Sequence, residues 1–327
     1  MPKERGFFDH DFYNYCYSLE EFEYWGLLET VGENWRDELE REYAALAGSS
    51  ELFRDKQYCL ILPGSDGKKE RHTQSKTEII LLLEESNFSL EKEIEKKAEA
   101  MSRENSTLGF VETKIVGSNE TPLSFFEHSP SRVYPDRVLN SHLLAGDRQL
   151  YLRARRQVLG EMTDKKIKEA MRSQLKQYKK VIRTGEYRNL KVFSKEKGEQ
   201  YYFENHETNR IRFGFKVGFL RAVQRKLDLE TVRWLESGKE GVDFLAQNLP
   251  TSTMERIDYF AQRGLFDKNF ALNLQRAYLW FLKNYHYAQE TFSRDKSRVA
   301  VVSFDRERFA AGEKVIIAFV NGQYSYF

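Results

Sequence analysis

Two short apolar runs, with a Gly-Ser turn following the first, constrain this chain more than any other feature. Tyr58 to Leu62 reads as a buried strand running into Pro63-Gly64-Ser65-Asp66-Gly67-Lys68-Lys69-Glu70, and Glu78 to Leu83 reads as its neighbouring strand. The segment between them is polar and basic and has room for a helical turn. A Gly-Ser turn between a strand and a helix start presents backbone N–H groups to an anion, and a phosphate is its natural guest.

The surrounding elements fit a small sheet. Trp35, Leu39, Tyr43 and Leu46 recur at helix spacing within residues 1–55, with Asn34 as a cap and Gly48 as a stop. Leu90, Ile94, Ala98 and Met101 mark an amphipathic helix, and Leu108 to Val116 reads as a third strand. The order is helix, strand, Gly-Ser loop, strand, helix, strand.

The pattern of Gly64, Ser65, Gly67, Lys68 and Glu70, followed by Ser75, Lys76 and Glu78, resembles the nucleotidyltransferase superfamily with its polymerase-beta-like fold. Within it the chain is most similar to the bacterial PII-uridylyltransferase branch. A second stretch, Tyr134 to Leu139 followed by Leu143-Leu144-Ala145-Gly146-Asp147, is similar to a helix ending in those relatives. The resemblance covers about residues 40–160. It implies that Gly64, Ser65, Gly67, Lys68 and Glu70 bind the phosphates of a nucleoside triphosphate such as ATP or UTP. It also implies that carboxylates at the head of the second strand bind Mg²⁺ or Mn²⁺, with a third carboxylate on a later strand, here Glu112.

The departures bear on chemistry. Lys76 stands where the family has its first metal-binding Asp, and an ammonium does not ligate Mg²⁺. Glu78 replaces the second Asp and keeps a carboxylate. Lys68 replaces the usual Arg, exchanging a bidentate fork for a point charge. Two-metal transfer needs carboxylates that hold two ions about 4 Å apart. Lys76 either removes that chemistry or offsets phosphate charge in place of one ion. Glu78, Lys76 and Glu112 are thus the candidate catalytic residues, and Glu78 and Glu112 the candidate metal ligands. Two expectations follow: a transferase acting on a protein or small acceptor, or a silent pseudoenzyme serving as a regulatory or protein-interaction module.

Beyond residue 160 the pattern is mostly helical. Ile167, Met171, Leu175, Tyr178 and Ile182 share one helix face, opposite eight Lys and Arg residues between 165 and 183. That basic face is either a groove for a polyanion or a solvated surface. Glu161, Asp164 and Glu169 dilute it and no aromatic residues interleave, so nucleic acid is not the expected partner. Residues 190–193 and 200–203 read as a hairpin. Phe213, Val217, Leu220, Val223 and Leu227 read as one helix face, and Leu272 to Tyr285 as another helix. Residues 298–304 and 314–320 read as strands, the second turning through Asn321-Gly322 into a terminal β hairpin.

Composition excludes several classes. Hydrophobic residues make up 40% and charged residues 31% of 327 residues, which is globular rather than disordered composition. A net charge of +2 gives no field suited to nucleic acid as a whole. Cys16 and Cys59 make neither a disulfide framework nor a zinc site. No apolar run reaches membrane-spanning length, and a cytoplasmic location is expected. The expected architecture is α+β. It comprises a helical segment over 1–55, a small mixed-sheet nucleotidyltransferase-like domain over 56–160 and a mostly helical domain over 161–327 that ends in a β hairpin.

Overall fold

The computed structural model describes residues 18–49, 57–71, 77–85, 87–104, 108–116, 136–184, 191–195, 198–204, 214–295, 299–303 and 306–324. The chain is α+β, mostly helical with two small sheets. It divides into two compact units that interleave along the sequence: Glu29–Gln174 with Leu227–Tyr259, and Met1–Leu28 with Leu175–Lys226 and Phe260–Phe327. The sequence suggested breaks near 55 and 160 instead. The first unit reaches past both breaks: a helix before the sheet region supplies part of its core, and residues 249–256 supply hydrogen-bond partners within it.

The first unit is built on a four-stranded sheet of order β3-β2-β1-β4, where β1 is Tyr58–Leu62, β2 Thr77–Leu83, β3 Leu108–Ile115 and β4 His142–Gly146. β1 pairs antiparallel with β2 and β4, and β2 pairs parallel with β3. A parallel pair needs a crossover, and helix Phe88–Glu104 supplies it. Tyr58, Leu60 and Leu62 alternate with Ile79, Leu81 and Leu83 into one core with Leu90, Ile94 and Ala98 of that helix. Trp35, Leu39 and Tyr43 of helix α1, Glu21–Ser49, close the same core. Cys59, Ile61, Ile80 and Leu82 are buried as well, so both sheet faces are covered there. That double burial explains why these strands read as continuous apolar runs rather than alternating ones.

After β3 come the short helix Asp136–Leu139, then β4, then α2, Arg148–Met162, whose first turn is capped by Asp147 accepting from the Gln149 N–H at 2.7 Å. The basic helix is α3, Lys165–Thr184, followed through the second unit's sheet by α4, Arg221–Glu236, then α5, Val242–Asn248, and α6, Thr253–Gln262.

The second unit carries a three-stranded antiparallel sheet in which β6, Gly198–Glu204, lies between β5, Lys191–Lys195, and β7, Val299–Ser303. The expected hairpin over 190–203 is present. Gly214–Leu220 winds as a π-helix into α4, so the helix stripe expected through Leu220, Val223 and Leu227 continues across a change of winding. Its rings pack on α7, Lys268–Asp295, and α8, Arg306–Asn321: Phe219 stacks on Phe281 at 3.9 Å between centroids, with Phe215 and Phe309 edge-on.

Three sequence expectations are overturned. Asn34 lies inside α1, not at its start. Leu143 to Gly146 form an edge strand, not a helix ending. The run Lys314 to Val320 is helix, and Asn321-Gly322 ends it rather than turning a hairpin. Gly322 has φ +79°, its N–H donates to the Phe319 carbonyl, and the Gln323 N–H reaches back to Ala318. This is a Schellman closure. Val315, Ile316, Phe319 and Val320 are buried at helical spacing, so packing on α7 outweighs the strand preference of β-branched residues.

Candidate functional site

Pro63 leaves β1 in an extended conformation, and Gly64 to Gly67 form a single helical turn. Gly64 has φ +70°, and the space where a Cβ would stand is open. Gly67 is the opposite case: a Cβ there would lie 2.1 Å from the Asn140 carbonyl oxygen and 2.5 Å from that of Leu62. Gly64 therefore sets the direction of the chain, while Gly67 lets the turn sit against the backbone entering β4. The N–H groups of residues 67 to 70 are bonded within the turn, that of Glu70 to Ser65 at 2.8 Å. Gly64 and Ser65 are half-buried and Lys68 is buried.

Asp66, inside the motif, is 1% exposed. Its Oδ1 accepts from Arg71 Nη1 at 2.7 Å, and its backbone carbonyl accepts from Arg36 at 3.3 Å. Arg71 also donates to the Thr77 hydroxyl at the head of β2 and lies over the Trp35 ring at 4.5 Å. Trp35 Nε1 donates to the same Thr77 oxygen at 2.9 Å. Burial pushes the Asp66 carboxyl up, and the charge and hydrogen bonds of Arg71 and Thr77 oppose it. The guanidinium thus ties the turn to the start of β2 and to α1.

The next two residues are tied to α6. Glu70 accepts from the Thr253 hydroxyl at 2.6 Å, and both are buried. Lys69 has φ +60°, rare for a residue with a side chain, and donates to Glu255 at 2.6 Å and Glu29 at 3.4 Å. Burial pulls the Lys69 ammonium down, but the two carboxylates outweigh it and leave it above its ordinary value. The Glu70 side chain, expected near a nucleotide, is directed at α6.

Glu78 stands half-exposed on β2, where Arg137 Nη2 donates to its Oε2 at 2.9 Å. The backbone of Glu112 pairs with Ile80, two residues further along β2. Lys76 and the side chain of Glu112 lie outside the described residues. Among the described residues no three His, Cys, Asp or Glu side chains gather to hold a metal ion. Of the two carboxylates expected to ligate Mg²⁺ or Mn²⁺, the described one, Glu78, is paired with a guanidinium.

Several residues of this site carried no local signal. Arg71, Thr77 and Arg36 converge on Asp66, with Trp35 against Arg71 and Thr77, and Thr253 and Glu255 come from beyond residue 250. Arg137 belongs to the Tyr134 to Leu139 stretch, and nothing in its local sequence points to Glu78 as a partner. On the basic helix α3, the apolar face is buried as expected, and Lys168 is paired with Glu236. No helix among the described residues is long and apolar enough to cross a membrane. Comparison with models of known protein families gives no match, and comparison with curated proteins gives none either.

Proposed function

We propose that this chain is a nucleotidyltransferase-like module that binds the phosphates of a nucleoside triphosphate at the Gly64–Ser65 turn without a two-metal transfer centre. On this reading it is a silent relative of transferases, acting by ligand-dependent regulation or by engaging a protein partner. The observation that carries it is the 2.9 Å ion pair between Arg137 and Glu78. A guanidinium on that carboxylate occupies one of its oxygens and puts positive charge where a dication would have to arrive. Lys76 adds a second cation two positions before Glu78 in sequence. Both favour a phosphate anion over a metal ion.

A transferase reading has one observation in its favour: the β2–β3 register brings the Glu112 backbone opposite Ile80, beside the strand that carries Glu78. Ligand-dependent thermal denaturation separates the two. The four nucleoside triphosphates are added with Mg²⁺, with Mn²⁺ or with chelator, to wild type, Ser65→Ala and Glu78→Gln. The proposal expects one triphosphate to raise the midpoint equally in chelator, with the shift reduced in Ser65→Ala and kept in Glu78→Gln. A ligand at a hundred times its Kd stabilises by about 2.7 kcal/mol, well within reach of the method. A shift that requires metal and Glu78 favours the transferase, and no shift with any triphosphate sinks both readings.

A further inference from the structure

Five buried positions close a ring around the candidate turn. The Glu70 N–H donates to the Ser65 carbonyl at 2.8 Å, so the place of Glu70 sets the place of Ser65. The Glu70 carboxylate is held by the Thr253 hydroxyl at 2.6 Å. One helical turn on, Arg256 is 1% exposed and donates to Asn140 Oδ1 at 2.8 Å. The Asn140 backbone carbonyl is in turn the atom that Gly67 must approach without a Cβ. The path Ser65, Glu70, Thr253, Arg256, Asn140, Gly67 therefore leaves the turn at one end and re-enters it at the other. Arg256 is itself fixed on α4 by Asp228 Oδ1 at 3.0 Å and Thr231 Oγ1 at 2.8 Å.

A ring of this kind does more than an isolated buried bond. Hydrogen bonds to a charged group are stronger than those between neutral groups, and a buried network fixes geometry as well as adding stability. The unusual backbone of Lys69 lies inside the ring. A non-glycine residue at positive φ persists only where its surroundings over-determine it, and Glu255 and Glu29 supply that restraint from outside. Thr253, Glu255 and Arg256 all stand in the first turn of α6.

We propose that Thr253 and Arg256 are positioning residues that hold the Gly64–Ser65 turn in place from the first turn of α6. The ligand consequence rests on the phosphate-binding reading above; the positioning itself does not. Thr253→Val removes the hydroxyl at constant shape, and Thr253→Ser restores it. Hydrogen exchange of the full chain, resolved over residues 64–71, is measured for both variants, with inorganic tripolyphosphate as the binding probe.

Exchange at the Glu70 N–H is expected to rise about tenfold in Thr253→Val and to return in Thr253→Ser, with tripolyphosphate affinity falling and recovering in parallel. A merely structural Thr253 would give the same exchange in both variants, or a rise confined to residues 253–262, and either result overturns the proposal. If Thr253→Val fails to fold, Thr253→Ala, which removes the hydroxyl but leaves room for water at the Glu70 carboxylate, is expected to speed exchange at the Glu70 N–H, and unchanged exchange there overturns the proposal equally. Hydroxyl-dependent exchange in a protein that binds neither tripolyphosphate nor any nucleotide supports the positioning and removes the phosphate reading.

Discussion

Gly64 and Gly67 are three positions apart in one motif, yet they are glycines for different reasons. Alanine at 64 meets no atom and bears only the strain of a left-handed backbone, about 1–2 kcal/mol. Alanine at 67 meets two carbonyl oxygens at 2.5 Å or less and forces the backbone of two strands apart. Gly67→Ala is therefore expected to destabilise by about 3 kcal/mol or more, clearly beyond Gly64→Ala, in denaturant titrations at matched m-values. Equal losses would mean that the turn does not sit on Asn140. The motif letters announced both glycines but not this difference, which depends on a carbonyl 73 positions away by subtraction of 67 from 140. The same holds for Asp66: its burial is decided by Arg71, Thr77 and Trp35, residues whose convergence no local pattern encodes.

At the scale of elements, β1, β2, β3 and the crossover helix were legible because burial on both sheet faces writes continuous apolar runs, and a helix against one face writes a 3.6-residue period. The short run Leu143 to Ala145 carried no such period, and a run of that length does not distinguish strand from helix. At the C-terminus, Val315-Ile316-Ile317 and Asn321-Gly322 imitate half a hairpin, while the burial of Val315, Ile316, Phe319 and Val320 makes the segment helical. The closing glycine gives a test. Its Cβ position is clear except for Lys226 Nζ at 3.8 Å, so Gly322→Ala adds little but backbone strain. A loss of about 1 kcal/mol is expected, with Gly322→Asn, which tolerates the left-handed conformation, recovering most of it. A larger loss with Asn than with Ala would argue against a helix ending there.

On the scale of the whole molecule, sequence order and spatial order part company. The stretch 56–160 looked like a domain because it contains every strand of the first sheet. Its core nevertheless needs Trp35, Leu39 and Tyr43, and its polar interior needs Leu249, Thr253 and Arg256: Arg155 Nη2 donates to the Leu249 carbonyl at 2.6 Å. Residues 56–160 expressed alone are expected to show no cooperative thermal transition, with exposed apolar surface that binds hydrophobic dyes. A fragment that melts cooperatively would restore the linear domain boundary.

The Glu70–Thr253 hydrogen bond spans 183 positions of the sequence. At about 5–20 residues per second, a ribosome needs roughly 10–40 s to travel that interval. Throughout that time β1, β2 and the turn between them are already made, but the helix that sets their final shape does not exist. The site is thus among the last features of its unit to mature, and every interrupted translation product that stops short of α6 carries the strands without a finished turn.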